Sequence, residues 1–137
     1  MAQLHATTVA LDGRGLLILG PSGSGKSSLG LELIAAGAVL VADDRTDIVV
    51  RDGQALASAP AALQGRIEAR FVGILHAPFC GPVPLALVAD LGRQEDRRLP
   101  PFRHHQLEGI SLPLVLGPYR PHLYAALRQH LLTGRAG

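Results

Sequence analysis

The sequence predicts a small α/β fold: a mixed sheet built around a phosphate-binding loop (P-loop), with a β-hairpin ahead of that loop and few covering helices. Three observations predict it. The stretch Gly20-Pro21-Ser22-Gly23-Ser24-Gly25-Lys26-Ser27 fits the pattern G-x-x-x-x-G-K-[ST] at every fixed position, between a strand-like run and a helix-like one. Residues 4–11 and 16–19 are strand-like and flank Asp12-Gly13-Arg14-Gly15, a strong turn signal. Only about two stretches carry long helical periodicity, and each crossover of a doubly wound parallel sheet wants its own helix.

The 137 residues suit one domain, residues 1–137, and 47% hydrophobic residues suffice for a core. No apolar run approaches the ~20 residues of a membrane span, and the N-terminus lacks a signal-peptide pattern, so the expected location is the cytoplasm and no membrane contact is expected. Cys80 is the single cysteine, which excludes an intrachain disulfide and a cysteine-based zinc cluster. The net charge of +2 is unevenly placed: Arg93, Arg97, Arg98 and Arg103 fall close together beside His104 and His105. Such a cluster suits a phosphate or an acidic protein. With 4% aromatics and no Arg/aromatic interleaving, nucleic acid is not an expected partner.

The hairpin comes first. With its turn centred near Gly13 and Arg14, cross-strand partners would sum to roughly 27, which sets His5 about opposite position 22, at the mouth of the loop. The apolar run 16–19 reads as a buried strand. The helix over residues 26–36 places Leu29 and Leu33 on one face, and Gly37 stops it. Residues 38–42 then read as a strand parallel to and neighbouring 16–19 through a right-handed crossover, which brings Asp43 and Asp44 to the sheet edge that carries the loop.

Further along, residues 46–51 and 55–58 form a second hairpin around Asp52-Gly53-Gln54. Residues 67–72 alternate as a strand, putting Glu68 and Arg70 on one face. Residues 85–90 are a continuous apolar run ending in Asp90, a second candidate for the acidic strand that accompanies such a loop; the sequence does not rank it against 38–43. Residues 112–116 are a strand candidate. A helix is expected over 121–132, with Leu123, Leu127 and Leu131 on one face and His122 and His130 at the surface.

The chemistry follows from residue types. Glycines let the backbone wrap a phosphate with N–H groups pointing inward at the positive end of a helix, so Gly20, Pro21, Ser22, Gly23, Ser24, Gly25, Lys26, Ser27 and Ser28 are the expected nucleotide-binding residues. Lys26 would reach the β/γ-phosphates and the Ser27 hydroxyl would ligate Mg²⁺ on a bound ATP. Phosphoryl transfer to a hydroxyl needs a metal ligand and a proton acceptor, and two adjacent carboxylates at a strand end can divide these duties between phosphates on one side and metal or backbone on the other.

His5 ahead of the loop, Val41-Ala42-Asp43-Asp44 after its helix, and Ile67-Glu68-Ala69-Arg70-Phe71-Val72-Gly73-Ile74 together resemble the catalytic domain of HPr kinase/phosphorylase, with a weaker match at Leu112-Pro113 and Arg120-Pro121. The resemblance implies an HPr kinase/PEP carboxykinase-like fold. It implies an ATP- and Mg²⁺-dependent enzyme that phosphorylates a serine of the phosphocarrier HPr and removes the phosphate with inorganic phosphate, yielding pyrophosphate. On that resemblance Asp43 is the general base, Lys26 and Ser27 keep their roles, and His5 lies near the transferred phosphate. Asp44 and Glu68 support the metal, Arg70 is the signature arginine, and Arg98 matches an arginine of a mobile loop. The family's hexamer makes a homo-oligomer a further expectation. Two departures stand out: Phe71 occupies the signature's first glycine, and Ser28 a position that is often Glu. A chain starting almost at His5 is similar to the short alphaproteobacterial form. Two other classes compete: a small-molecule kinase, for which residues 93–105 are the only lid candidate, and a non-catalytic ATP sensor.

Overall fold

The structure is a computed structural model that describes all 137 residues. In chain order the elements are β1 Ala2–Leu4, β2 Thr7–Leu11, β3 Arg14–Leu19, α1 Lys26–Ala35, β4 Val39–Ala42, β5 Thr46–Arg51 and β6 Gln54–Ser58. After a 3-10 turn at Ala61–Leu63 come β7 Arg66–Ala69, β8 Gly73–His76, β9 Val83–Gln94, β10 Arg103–Leu107, β11 Ile110–Gly117 and α2 Leu123–Thr133. Nine strands form one mixed sheet in which β1-β5-β6-β9-β3-β2-β4 are neighbours and β11 joins β9 to β10, while β7 and β8 pair as a separate ribbon.

β9 is the spine. It lies parallel to β3 from Gly15↔Leu85 to Leu19↔Asp90, parallel to β11 from Leu114↔Val88, and antiparallel to β6 at Val83 and Pro84. Alternation along β3 sends Leu16 and Ile18 to one face and Leu17 to the other, and all three are fully buried. Each such side chain contributes roughly 1.5–3 kcal/mol on burial. The face with Leu16 and Ile18 is covered by both helices, through Leu29 and Leu33 of α1 and Leu127 and Leu131 of α2. The opposite face is closed by strands rather than helices: Ile48 of β5, Ala55 and Ala57 of β6, and Leu107 of β10 pack over Leu17 and Val88. A curled sheet therefore supplies its own second layer, which is why two helices suffice.

Three sequence-based expectations change. The first hairpin turns at Asp12-Gly13, with Thr7↔Ile18 and Leu11↔Arg14, so partners sum to 25 rather than 27. Asp12 adopts φ 51° and Gly13 φ 71°, the left-handed pair that a two-residue hairpin turn requires, and this moves the turn centre one residue back. β4 is not the neighbour of β3: it pairs antiparallel with β2, which lies between them. β3 and β4 still run in the same direction, so the expected shared edge survives the insertion. Finally, the strand expected over 67–72 stops at Ala69, because Phe71 turns the chain at φ 68° into β8.

Candidate active site

The loop from Gly20 to Gly25 joins the end of β3 to the start of α1, where the first turn presents its N–H groups. Gly25 adopts φ 100°, and a Cβ there would stand 3.1 Å from the Tyr119 ring, so any side chain at the helix entrance would be strained and crowded. On the loop's other flank Pro21 lies against Gly92 of β9, where an added Cβ would meet Pro21 Cδ at 2.9 Å. The loop is thus held between two contacts from the later half of the chain. Lys26 Nζ donates to the carbonyls of Gly20 and Pro21 at 2.8 and 3.2 Å, folding its side chain across the loop.

A cleft of about 490 Å³ opens over this loop. Gly20, Pro21, Ser22, Gly23, Gly25, Lys26, Ser27 and Ser28 line it, together with His5, Thr7, Asp44, Glu68 and Arg70. Its wall is made of glycines, hydroxyls and charges, with no large apolar side chain, which suits a polyanion rather than an apolar ligand. Ser24 is the one loop residue that stays out: its Oγ is buried without a partner. His5 reaches the cleft from the short link between β1 and β2, despite the shifted hairpin register. Arg70 reaches it from the turn after β7, with its guanidinium facing Gly23. Arg98 lies in an exposed loop and does not line the cleft.

The two aspartates at the end of β4 are in different situations. Asp43 is 6% exposed, and its Oδ1 accepts the hydroxyls of Ser27 and Thr7, each at 2.7 Å. Its Oδ2 accepts the backbone N–H of Glu68 at 2.9 Å. Asp44 is exposed at φ 68° and borders both the cleft and an adjoining recess of about 320 Å³, whose wall includes Leu63, Arg66 and Ile74. Asp90, the rival for an acidic strand end, instead accepts the backbone N–H of Gly92 at 2.9 Å and stays out of the cleft. Between the two candidate strands, only 38–43 delivers a carboxylate to Ser27.

The model of the HPr Serine kinase C-terminal domain family matches residues 1–79, more than half of the chain and every cleft residue named above. The chain belongs to the HPr serine kinase C-terminal domain family. It is 45% identical over 76 residues to the HPr kinase/phosphorylase of Clostridium tetani, covering 56% of this chain and 25% of that protein. To the HPr kinase/phosphorylase of Lactococcus lactis subsp. lactis it is 48% identical over 73 residues, covering 53% of this chain and 24% of that protein. The chain thus spans about a quarter of the length of the curated relatives it matches. Among solved structures, the Hpr(Ser) kinase/phosphatase from Coxiella burnetii superposes with a TM-score of 0.82 at 28% identity, over 96% of this chain and 97% of that one. The curled mixed sheet is therefore the fold of an HPr kinase. Residues 80–137, with Arg98, Tyr119 and Gly92, lie outside the part that the family model matches.

One participant was not singled out from the sequence: Thr7, fully buried and bonded to Asp43. A signal was available, because Thr7 stands two residues after His5 and so tends to the same side of an extended chain. Tyr119 and Gly92 were missed as well, and no local pattern marks residues that approach the loop from so far along the chain.

Proposed function

We propose that this chain transfers the γ-phosphoryl group of Mg²⁺·ATP to a serine of the phosphocarrier HPr in the cytoplasm, and runs the reverse reaction with inorganic phosphate to release pyrophosphate. The observation that carries this reading is the division between Asp43 and Asp44. Asp43, with both oxygens already engaged, is suited to orient Ser27 and not to accept a further proton. Asp44, exposed at the join of cleft and recess, has the free carboxylate that a general base needs, so we assign it that role in place of Asp43. In the forward direction the serine oxygen forms a bond to the γ-phosphorus, the bond from that phosphorus to the bridging oxygen breaks, and the serine proton passes to Asp44.

The donor set fits magnesium. No three His, Cys, Asp or Glu side chains converge in the molecule, so there is no all-protein cage. Mg²⁺ usually takes one or two protein oxygens and completes its shell with phosphates and water. The Ser27 hydroxyl, with Glu68 on the cleft wall, supplies that kind of site. When bound, the ion would neutralise charge developing on the phosphate oxygens. Lys26 would leave its own loop carbonyls for the β/γ-phosphates, while His5 and Arg70 face the transferred group across the cleft. Catalysis on this reading is mainly positioning and fixed charge.

Residues 93–105 do not line the cleft, which weighs against a small-molecule kinase closing that segment as a lid. The test is transfer of labelled γ-phosphate from ATP, with Mg²⁺, onto HPr from the same organism, followed by inorganic phosphate. Serine labelling that is released as pyrophosphate is the expected result, and Asp44→Asn should lose transfer by ~10²–10⁴ while still binding ATP. Absence of labelling with ATP binding intact would overturn the reading. An Asp44→Asn enzyme within about tenfold of the parent would overturn the base assignment alone.

A further inference from the structure

We propose that Thr7 is a positioning residue: its hydroxyl fixes the carboxylate of Asp43 so that Asp43 can orient the Ser27 hydroxyl toward a phosphate-bound cation. The inference rests on the reading above that this cleft takes Mg²⁺·nucleotide, and goes beyond it by giving a role to a side chain whose hydroxyl is spent on Asp43.

The geometry is specific. Thr7 and Ser27 come from different elements, β2 and the first turn of α1, yet both hydroxyls end 2.7 Å from the same oxygen, Asp43 Oδ1. The backbone N–H of Glu68 holds Oδ2 at 2.9 Å. Ser27 is the group to be oriented and cannot serve as its own anchor, so Thr7 is the one independent hold on Oδ1: with the Glu68 N–H alone the carboxylate could swing about its terminal bond, whereas with Thr7 as well its plane is fixed. Each hydroxyl has a single proton. Ser27 spends its proton on Asp43, which leaves its lone pairs for the cleft.

Thr7 is itself locked. Its side chain is 0% exposed, and its Cγ2 methyl lies against α1 at Gly30, where a Cβ would stand 2.9 Å from that methyl. Close approach of α1 to β2 at glycine sets the methyl, and the methyl sets the hydroxyl, because a β-branched side chain has few χ1 choices. The two groups on Thr7 Cβ therefore do separable jobs: the methyl spaces the helix and the hydroxyl aims the carboxylate. Partners of this kind, one step removed from a metal ligand, typically cost ~10–100-fold in metal affinity when lost.

The experiment measures binding of a fluorescent ATP analogue to the full chain as Mg²⁺ is titrated, and again in excess EDTA, for the parent and three variants. Thr7→Val keeps the methyl and loses the hydroxyl; it should raise the Mg²⁺ midpoint by ~10–100-fold and leave metal-free nucleotide binding within about twofold. Thr7→Ser keeps the hydroxyl and should return the midpoint to near the parent value. Where Thr7→Val does not fold, Thr7→Ser against Thr7→Ala makes the same comparison without the branched side chain. An unchanged midpoint in Thr7→Val, or a Thr7→Ser midpoint as high as that of Thr7→Ala, overturns the proposal. A parent chain with no Mg²⁺-dependent nucleotide binding overturns instead the functional reading on which the proposal rests.

Discussion

Asp43 and Asp44 share a peptide bond and little else: the first is buried under three hydrogen bonds, and the second stands in the left-handed region at φ 68°, open to the cleft. Their substitutions should separate accordingly. Asp43→Asn places a donor where Asp43 accepts three, and a lost hydrogen bond to a charged group costs about 1.5–3 kcal/mol. Asp44→Asn should stay within about 0.5 kcal/mol, because asparagine tolerates a left-handed backbone and the exposed Asp44 carboxylate has no hydrogen bond to lose. Urea unfolding of both variants checks this, and equal destabilisation would contradict it.

Lys26→Ala should abolish ATP binding in calorimetry and leave the unfolding midpoint close to that of the parent. Its ammonium is bonded only to the two loop carbonyls, which water can replace at this partly open site. Retained nucleotide affinity would show that Lys26 does not reach the phosphates.

Gly25→Ala brings two separate penalties. The left-handed backbone costs any L-residue about 1–2 kcal/mol, and the new methyl must displace the Tyr119 ring. In a double-mutant cycle Tyr119→Ala, which removes the ring but keeps a Cβ 3.2 Å from the new methyl, should recover only part of the second penalty, so the cycle has a non-zero coupling term while Gly25→Ala remains destabilising in both backgrounds.

Phe71 is 101% exposed at φ 68°, so its ring gains nothing from the fold while its backbone bears the left-handed cost. Phe71→Gly is expected to be neutral or to stabilise by up to about 1 kcal/mol, the relief of strain being offset by the freedom glycine gives the unfolded chain. A clear loss of stability in thermal melting would mean that the ring makes a contact in solution.

Arg103 holds Glu95 through two hydrogen bonds, at 2.8 and 2.9 Å, and pulls its carboxyl from the usual 4.5 to about 2. A pKa depressed on folding means that the tie contributes fully above about pH 4.5 and is lost as the pH falls through about 2. A carbon-detected titration of the Glu95 carboxyl should place its midpoint near 2, and Arg103→Gln should return it toward 4.5.

The sequence made the loop, both hairpins, both helices and the shared strand edge legible, because each rests on a local signal: the glycine spacing of residues 20–27, the turn at Asp12-Gly13, the four-residue spacing of Leu29 and Leu33. What it concealed was non-local. Nothing in residues 38–42 says that β2 will intervene before β3, since β2 satisfies both neighbours with the same alternation. Likewise, both carboxylates in Asp43-Asp44 look alike until the positive φ at Asp44 turns one outward and the hydroxyls of Thr7 and Ser27 close on the other. Phe71, legible as a departure from a glycine, lies in the turn after the strand ends at Ala69, where its φ of 68° reverses the chain into β8.

Tyr119 and Gly92, which grip the 20–27 loop from outside, belong to the later half of the chain, while every group facing the cleft belongs to the earlier half. The two halves meet in the middle of the sheet along both edges of β9, where it pairs with β3 on one side and β6 on the other. Expressed as two separate pieces divided near residue 79, neither would hold a shaped loop: one would have the ligating groups and no brace, the other a brace with nothing to hold. If the proposed function holds, their reassembly would restore nucleotide binding, making the molecule a starting point for a split reporter in which ATP capture signals that two fused proteins have met.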